Sequence, residues 1–110
     1  MRIHLIKELS INNFCEEHQD RGVSFGKWLT KIKYVDWERP SDIKLTFNTA
    51  YILGRGSSRV VFNIGGGNYR MICKYYFGLK NIHLYVCWIG THAEYSVVCN
   101  KGLQFTINIY

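Results

Sequence analysis

The chain is poor in proline, in acidic residues and in long apolar runs. It has one proline, no internal repeat and no low-complexity segment, which excludes a repeat protein and an extended linker. No apolar run approaches the ~20 residues that a membrane-spanning helix needs. The first residues, MRIHLIKELS, lack the apolar core and the cleavage site of a signal peptide. We therefore expect a cytoplasmic protein without a membrane partner.

Cysteine patterns typical of metal sites are also missing. The four cysteines (Cys15, Cys73, Cys87 and Cys99) form no CxxC pair and show no zinc-ligand spacing. Two of them, Cys73 and Cys87, lie within apolar runs, where a thiol packs as a small hydrophobic group. We expect reduced, structural cysteines, and neither a metal nor a cofactor.

What the chain does contain is apolar residues and positive charge. Its 110 residues predict one domain spanning residues 1–110, and a hydrophobic content of 47% is enough to form a modest core. Fourteen Lys and Arg residues against eight Asp and Glu residues give a net charge of +6. Such an excess favours a polyanionic partner, with nucleic acid first among the candidates.

Two helices are predicted to follow a short first strand. Residues 2–6 alternate basic and apolar side chains, and apolar residues then recur at helical spacing from Lys7 to about residue 18. A break at residues 20–22 separates a second helix, for which Ser24 is the expected N-cap. The second helix is apolar on one face and carries three lysines towards the other: Lys27, Lys31 and Lys33.

A small sheet is predicted in the second half of the chain. A flexible turn at residues 54–58 opens it, and its strands cover residues 59–64, 68–77 and 82–89. Glycines 65–67 are followed by strand-like residues and not by a helix, so they predict a hairpin turn and not a nucleotide-binding loop. The predicted fold class is α+β, with two N-terminal helices packed on one face of a small antiparallel sheet.

Three segments form a specific pattern: DWERPSDIKLTF, RVVFNIGGGNYR and GTHAEY, in that order. This pattern resembles the HigB family of bacterial type II toxins, over about residues 2–95. The resemblance implies a RelE-like fold and a ribosome-associated endoribonuclease that cuts translated mRNA. It also implies a partner, a HigA-type antitoxin with a helix-turn-helix domain, that holds the toxin inactive.

Residues 96–110 depart from the family pattern. Ser96 follows Tyr95 where the family usually has an acidic residue, and the chain continues as VVCNKGLQFTINIY, which is apolar and β-prone. This atypical C-terminal tail predicts either an added edge strand or the product of a changed reading frame past Tyr95.

Cleavage of RNA needs no external nucleophile, because the 2′-hydroxyl lies beside the scissile phosphate. An enzyme has to align that hydroxyl, remove its proton, neutralise the phosphorane and protonate the leaving 5′-oxygen. No metal is required for this reaction, and its products are a 2′,3′-cyclic phosphate and a 5′-hydroxyl end.

Arg70 and Lys74 are the candidate phosphate contacts within the sheet. Four residues apart on one strand, they share a face and are separated by about 13 Å. We expect Arg70 to clamp the transition state, because a guanidinium contacts two phosphate oxygens at once, and Lys74 to position the RNA. Taken singly, each cation also fits an ordinary solvent-facing strand; the family resemblance favours a catalytic role for Arg70.

A titratable cluster follows the last predicted strand. Histidine gives or takes a proton at cellular pH, so His92 is a candidate acid–base group. Glu94 is a second candidate, either as the base or by orienting His92, and Tyr95 is expected to stack on a base or bind the phosphate. The sequence leaves the general base open among His92, Glu94 and Lys74.

Further basic residues are predicted to bind the RNA backbone without taking part in the chemistry: Arg55, Arg59, Lys27, Lys31 and Lys33. Two other functions stay open at this stage. One is a RelE-fold toxin that binds another target, such as DNA gyrase, without cutting RNA. The other is a catalytically defective toxin whose altered tail blocks the active face.

Overall fold

The computed structural model describes residues 1–17 and 22–110. The predicted break between the first two helices falls largely outside these residues. The elements in chain order are β1 (Arg2–Ile6), α1 (Glu8–Glu17), α2 (Gly22–Tyr34), α3 (Asp42–Thr46), β2 (Tyr51–Leu53), β3 (Arg59–Ile64), β4 (Tyr69–Phe77), β5 (Asn81–Thr91), α4 (His92–Asn100) and a short 3-10 helix (Leu103–Phe105).

The strands form one five-stranded sheet in the order β1-β5-β4-β3-β2. Strands β3 to β5 are antiparallel, as predicted, and β2 also pairs with β3 in the antiparallel direction, but β1 pairs with β5 in parallel. The sheet is therefore mixed, and the prediction of a purely antiparallel sheet was wrong. The reason is the connection between these two strands: the chain from β1 to β5 passes through α1, α2, α3 and the strands β2 to β4, and parallel neighbours need such a long connection in place of a tight turn.

Three local predictions also need correction. The turn at residues 54–58 does not open the sheet, because β2 precedes it and pairs with β3. Helix α2 begins at Gly22, so Ser24 lies inside the helix and is not its N-cap. The tail contains no added edge strand; it continues α4 to Asn100 and then forms the 3-10 helix. Strand β2 has only three residues, and the tail part of α4 consists of β-prone residues. Neither gives the periodic pattern of apolar residues from which the elements were predicted.

Helices α1 and α2 cover one side of the sheet, which we term the helix face. Every second residue of β3 points to it, and the apolar face predicted for α2 packs on those residues. The result is the larger of two buried clusters, which includes Ile11, Phe14, Phe25, Trp28, Ile32, Val60, Phe62, Met71 and Leu84. No helix in the described ranges is long and apolar enough to cross a membrane.

The C-terminal tail covers the middle of the opposite side, which we term the tail face. A second buried cluster lies there, with Val61, Ile72 and Trp88 from the sheet and Val98 from α4. A β-bulge explains why two successive residues of β5 join it: Ile72 pairs with Trp88 whereas Cys73 pairs with Val86, so Cys87 is an extra residue. The polar, exposed residues of this face are left at its two ends.

Candidate functional site

The turn between β3 and β4 positions Arg70. Its three glycines, Gly65, Gly66 and Gly67, all have φ between 66° and 94°, which is left-handed backbone that glycine adopts without strain. This confirms the predicted hairpin turn. The turn brings the carbonyl of Gly67 to Arg70, whose Nη1 donates to it and also to the carbonyl of Tyr69 at 3.3 Å. The half-buried guanidinium is therefore held at the start of β4.

The other half of the site comes from the junction of β5 and α4, which follow each other without a loop. A capping box begins the helix: the hydroxyl of Thr91 accepts the N–H of Glu94 at 3.2 Å, and the carboxylate of Glu94 accepts the N–H of Thr91 at 2.8 Å. The backbone N–H of His92 donates to the carbonyl of Asn68 at 3.0 Å. His92 is thus exposed at the helix start, directly beside the beginning of β4.

Gly90 allows this junction to pack closely. It pairs with Arg70 across the ladder, and a Cβ at this position would lie 2.5 Å from the Trp88 ring and 3.2 Å from a carboxylate oxygen of Glu94. A larger residue would therefore push Trp88 and the capping carboxylate apart.

Tyr95 lies on the first turn of α4 and completes the arrangement. Its ring centroid is 6.1 Å from that of Trp88. Burial raises the pKa of Tyr95, and a hydrogen bond with Cys99 raises it further, whereas the charge of Arg70 acts in the opposite direction. The phenol therefore stays protonated at neutral pH. The charge of Arg70 acts on Tyr95, and His92 lies three residues before Tyr95 at the start of α4; we term these three residues the corner.

Glu94 has a structural role that the sequence analysis missed, although the signal was present. Thr91 and Glu94 are spaced as a capping box requires. The carboxylate of Glu94 accepts the backbone N–H of Thr91 at the start of the helix. This structural role accounts for its position, so the geometry gives no separate reason to assign Glu94 as the general base.

Replacing Glu94 by glutamine is expected to leave both the unfolding midpoint and toxicity close to those of the unchanged protein, because glutamine serves equally in a capping box. Glu94→Ala removes the carboxylate half of the capping box while the Thr91 hydroxyl still caps the helix, so we expect it to cost no more than about 1 kcal/mol of stability. Thermal unfolding and a growth assay check both variants. Loss of growth arrest in Glu94→Gln at an unchanged midpoint would instead make Glu94 the general base.

Lys74 is exposed on the tail face but lies away from the corner. It is four residues beyond Arg70 on β4, with the buried Ile72 and the cluster under α4 between them. Its cross-strand neighbours are Arg59 and Tyr85. Lys74 therefore remains a candidate for positioning RNA, while the structure does not bring it to the residues that would carry the chemistry.

Arg59 is buried, and this contradicts its predicted role as an RNA contact. Its side chain is 6% exposed, and its Nη1 donates to the carbonyl of Ile107 at 2.6 Å and to that of Gln104 at 3.3 Å. The guanidinium ties the tail to the sheet. Nothing local distinguishes Arg59 from an exposed strand cation, because its partners are 45 and 48 residues away in sequence.

Arg55 also contacts the tail, but it remains exposed. Its guanidinium carbon lies 4.6 Å from the centroid of the Phe105 ring, a cation–π contact that orients the side chain. Arg55 lies in the turn between β2 and β3. Its predicted contact with the RNA backbone stays a prediction.

The lysines of α2 divide into two groups. Lys27 and Lys31 line a pocket of about 360 Å³ between the helix and the glycine turn, together with Ser24 and Asn63. Lys33 does not line it, and its carbonyl accepts a hydrogen bond from Arg2 at 2.7 Å. The predicted basic patch is therefore a lysine pair at a pocket plus one separate lysine.

The mixed α/β fold with its five-stranded sheet is consistent with the RelE-like fold that the resemblance implied, and a family comparison identifies the class. The model of a RelE-like toxic component of a toxin–antitoxin system, HigB_toxin, matches residues 23–98. Because the match covers more than half of the chain, the protein belongs to the HigB_toxin family. Among curated proteins no relative matches the chain. The matched range stops within α4, so residues 99–110 lie beyond it.

Proposed function

We propose that this toxin is a ribosome-associated, metal-independent endoribonuclease that cuts mRNA during translation in the cytoplasm. A HigA-type antitoxin is the partner that neutralises it. The observation that supports the proposal is the corner, where the charge of the half-buried Arg70 acts on the phenol of Tyr95 and the exposed His92 precedes Tyr95 by three residues on α4. These three groups supply a charge clamp, a proton carrier and a hydrogen-bond donor.

Each group has one role in the proposed reaction. His92 takes the proton of the 2′-hydroxyl as the oxygen attacks phosphorus, because Glu94 is engaged in the cap and Lys74 lies beyond the apolar cluster. Arg70 neutralises the phosphorane, and Tyr95 donates a hydrogen bond to a phosphate oxygen. The P–O5′ bond then breaks, the leaving 5′-oxygen takes a proton from solvent water, His92 returns its proton to solvent, and a 2′,3′-cyclic phosphate remains on the other fragment.

His92→Gln is expected to slow cleavage by roughly 10²–10⁴-fold, the usual contribution of a positioned acid–base group. It is also expected to flatten the pH–rate profile, because glutamine cannot accept the proton that the imidazole takes from the 2′-hydroxyl. Single-turnover cleavage of mRNA on ribosomes, measured across neutral pH, checks both effects. An unchanged profile would remove His92 from catalysis.

The decisive experiment for the function is induced expression in cells, followed by mapping of mRNA 5′ ends. New 5′-hydroxyl ends inside translated reading frames are expected. Growth arrest without such ends would contradict the proposal and indicate another target, such as DNA gyrase.

A second candidate function is supported by the tail. The segment that covers the middle of the tail face also buries Arg59, so it occupies surface that RNA would otherwise reach. In that case the protein is a catalytically defective toxin that keeps its antitoxin-binding surface. Expression would then cause neither arrest nor new RNA ends, while binding to the antitoxin would persist.

The remaining basic residues suit contacts with ribosomal RNA. Lys27 and Lys31 face one pocket, and Lys33 and Arg55 are exposed elsewhere. We assign these four to salt-sensitive phosphate contacts outside the chemistry.

A further inference from the structure

A second pocket lies on the tail face, on the far side of the apolar cluster from the corner. It has a volume of about 460 Å³, and its walls include Lys7, Lys74, Tyr76 and Tyr85 from the sheet side and Thr106 and Asn108 from the tail. None of the residues described as lining it is acidic. An anionic ligand therefore meets positive charge there without an opposing carboxylate in the walls.

A row of rings runs across three strands beside this pocket. Tyr76 of β4 is paired with His83 of β5, and His83 is paired with His4 of β1. The ring centroids of Tyr76 and His83 lie 6.2 Å apart, and those of His83 and His4 lie 5.5 Å apart. Tyr85 stands two residues beyond His83 on the same face. We term these four residues the ring platform.

The ring platform is open to solvent, unlike the aromatic residues of the two cores. Tyr76 is 64% exposed and Tyr85 is 38% exposed, although two tail residues line the same pocket. Lys74 lies directly across the ladder from Tyr85, so a cation and a ring stand side by side. Exposed rings that alternate with cations are the arrangement that binds single-stranded nucleic acid, since bases stack on the rings and phosphates meet the charges.

We propose that the ring platform binds a single-stranded segment of RNA next to the segment that is cut. Bases stack on Tyr76 and Tyr85, phosphates contact Lys74 and Lys7, and the tail residues Thr106 and Asn108 form the opposite wall. The platform selects single strands because a duplex hides the faces of its bases. This inference rests on the proposed function, to which it adds a second RNA contact separated from the corner by the apolar cluster.

The test is equilibrium binding of a short, fluorescein-labelled single-stranded RNA to the purified full chain, measured by anisotropy. Methylation of its 2′-hydroxyls removes the nucleophile, so binding is measured without cleavage. Tyr76→Ala is expected to weaken binding roughly tenfold, the size of one lost stacking contact, whereas Tyr76→Phe retains the affinity. Lys74→Ala is expected to lower the slope of log affinity against log salt by about 0.7, the value for one phosphate of a single strand.

Tyr34→Ala is the matched control, since Tyr34 is an exposed tyrosine at the end of α2, away from the tail face. Equal affinities for Tyr76→Ala and Tyr34→Ala would overturn the platform, and so would tighter binding of a duplex than of the single strand. Because the probe cannot be cut, the outcome is independent of the nuclease proposal. Selective loss in Tyr76→Ala without any cleavage in cells would support the platform and contradict the nuclease.

Discussion

Replacing Arg70 by alanine is expected to lower mRNA cleavage on the order of 10²–10³-fold and to relieve growth arrest, while the protein still folds and binds its antitoxin. The guanidinium is the positive group of the corner, held towards Tyr95 by the carbonyls of Gly67 and Tyr69. Without it the charge that develops on the phosphorane has no partner. Mapping of mRNA 5′ ends after induction measures the effect directly.

Two variants make this result interpretable. Arg39→Ala removes an exposed arginine in the loop before α3, well apart from β4 in the chain, and is expected to leave cleavage unchanged. Arg70→Lys keeps the charge but not the planar fork, and is expected to recover only a small part of the rate. Full toxicity of Arg70→Ala would contradict the assignment. The loss of two carbonyl bonds at a turn costs about 1–3 kcal/mol, so a folded variant is expected.

Deleting the chain after Tyr95 is expected to abolish cooperative unfolding. The deletion removes Val98 from the second buried cluster, together with the half-buried Phe105 and Ile107. Each apolar side chain contributes about 1.5–3 kcal/mol when fully buried, and the two partly buried ones contribute less. Arg59 also loses both carbonyl acceptors, and a small domain has only about 5–15 kcal/mol of stability in total. Circular dichroism during thermal or urea unfolding measures the outcome.

A pair of neighbouring valines on α4 provides the matched control. Val98 is 7% exposed and Val97 is 52% exposed. Val98→Ala is expected to destabilise the protein by roughly 1–3 kcal/mol, and Val97→Ala by less than about 0.5 kcal/mol. A truncated chain that unfolds cooperatively at the original midpoint would show that the tail is an appendage, contrary to the packing observed here.

The position of the tail matters both for the stability of the fold and for the two candidate functions. Its last residues run beside β5, where the N–H of Ile109 donates to the carbonyl of Cys87 at 3.0 Å. The same segment divides the tail face into the corner on one side and the ring platform on the other. Under the proposed function, an RNA strand that contacts both has to pass over or around the tail; a tail that blocks this path corresponds to the second candidate function.

Much of the fold is predictable because its signals are local. Strand β3 has the predicted bounds, β4 begins one residue later than predicted, and β5 is longer by one residue at its start and two at its end. Glycines at 65–67 favour a turn whatever surrounds them, because only their backbone adopts positive φ without strain. The apolar spacing of α2 likewise determined which of its sides would be buried.

What the sequence by itself determined is therefore the main strands and helices, the hairpin turn, the family, and the position of Arg70 beside the start of a strand. Only the tertiary structure decided that β1 lies parallel to β5, that Arg59 is buried while Lys74 is exposed on the same face, and that rings from three strands form one platform. The physical reason is sequence distance. A periodic pattern predicts which side of a helix or strand is apolar. The order of the strands in the sheet and the path of the tail depend instead on packing between residues that are far apart in the chain.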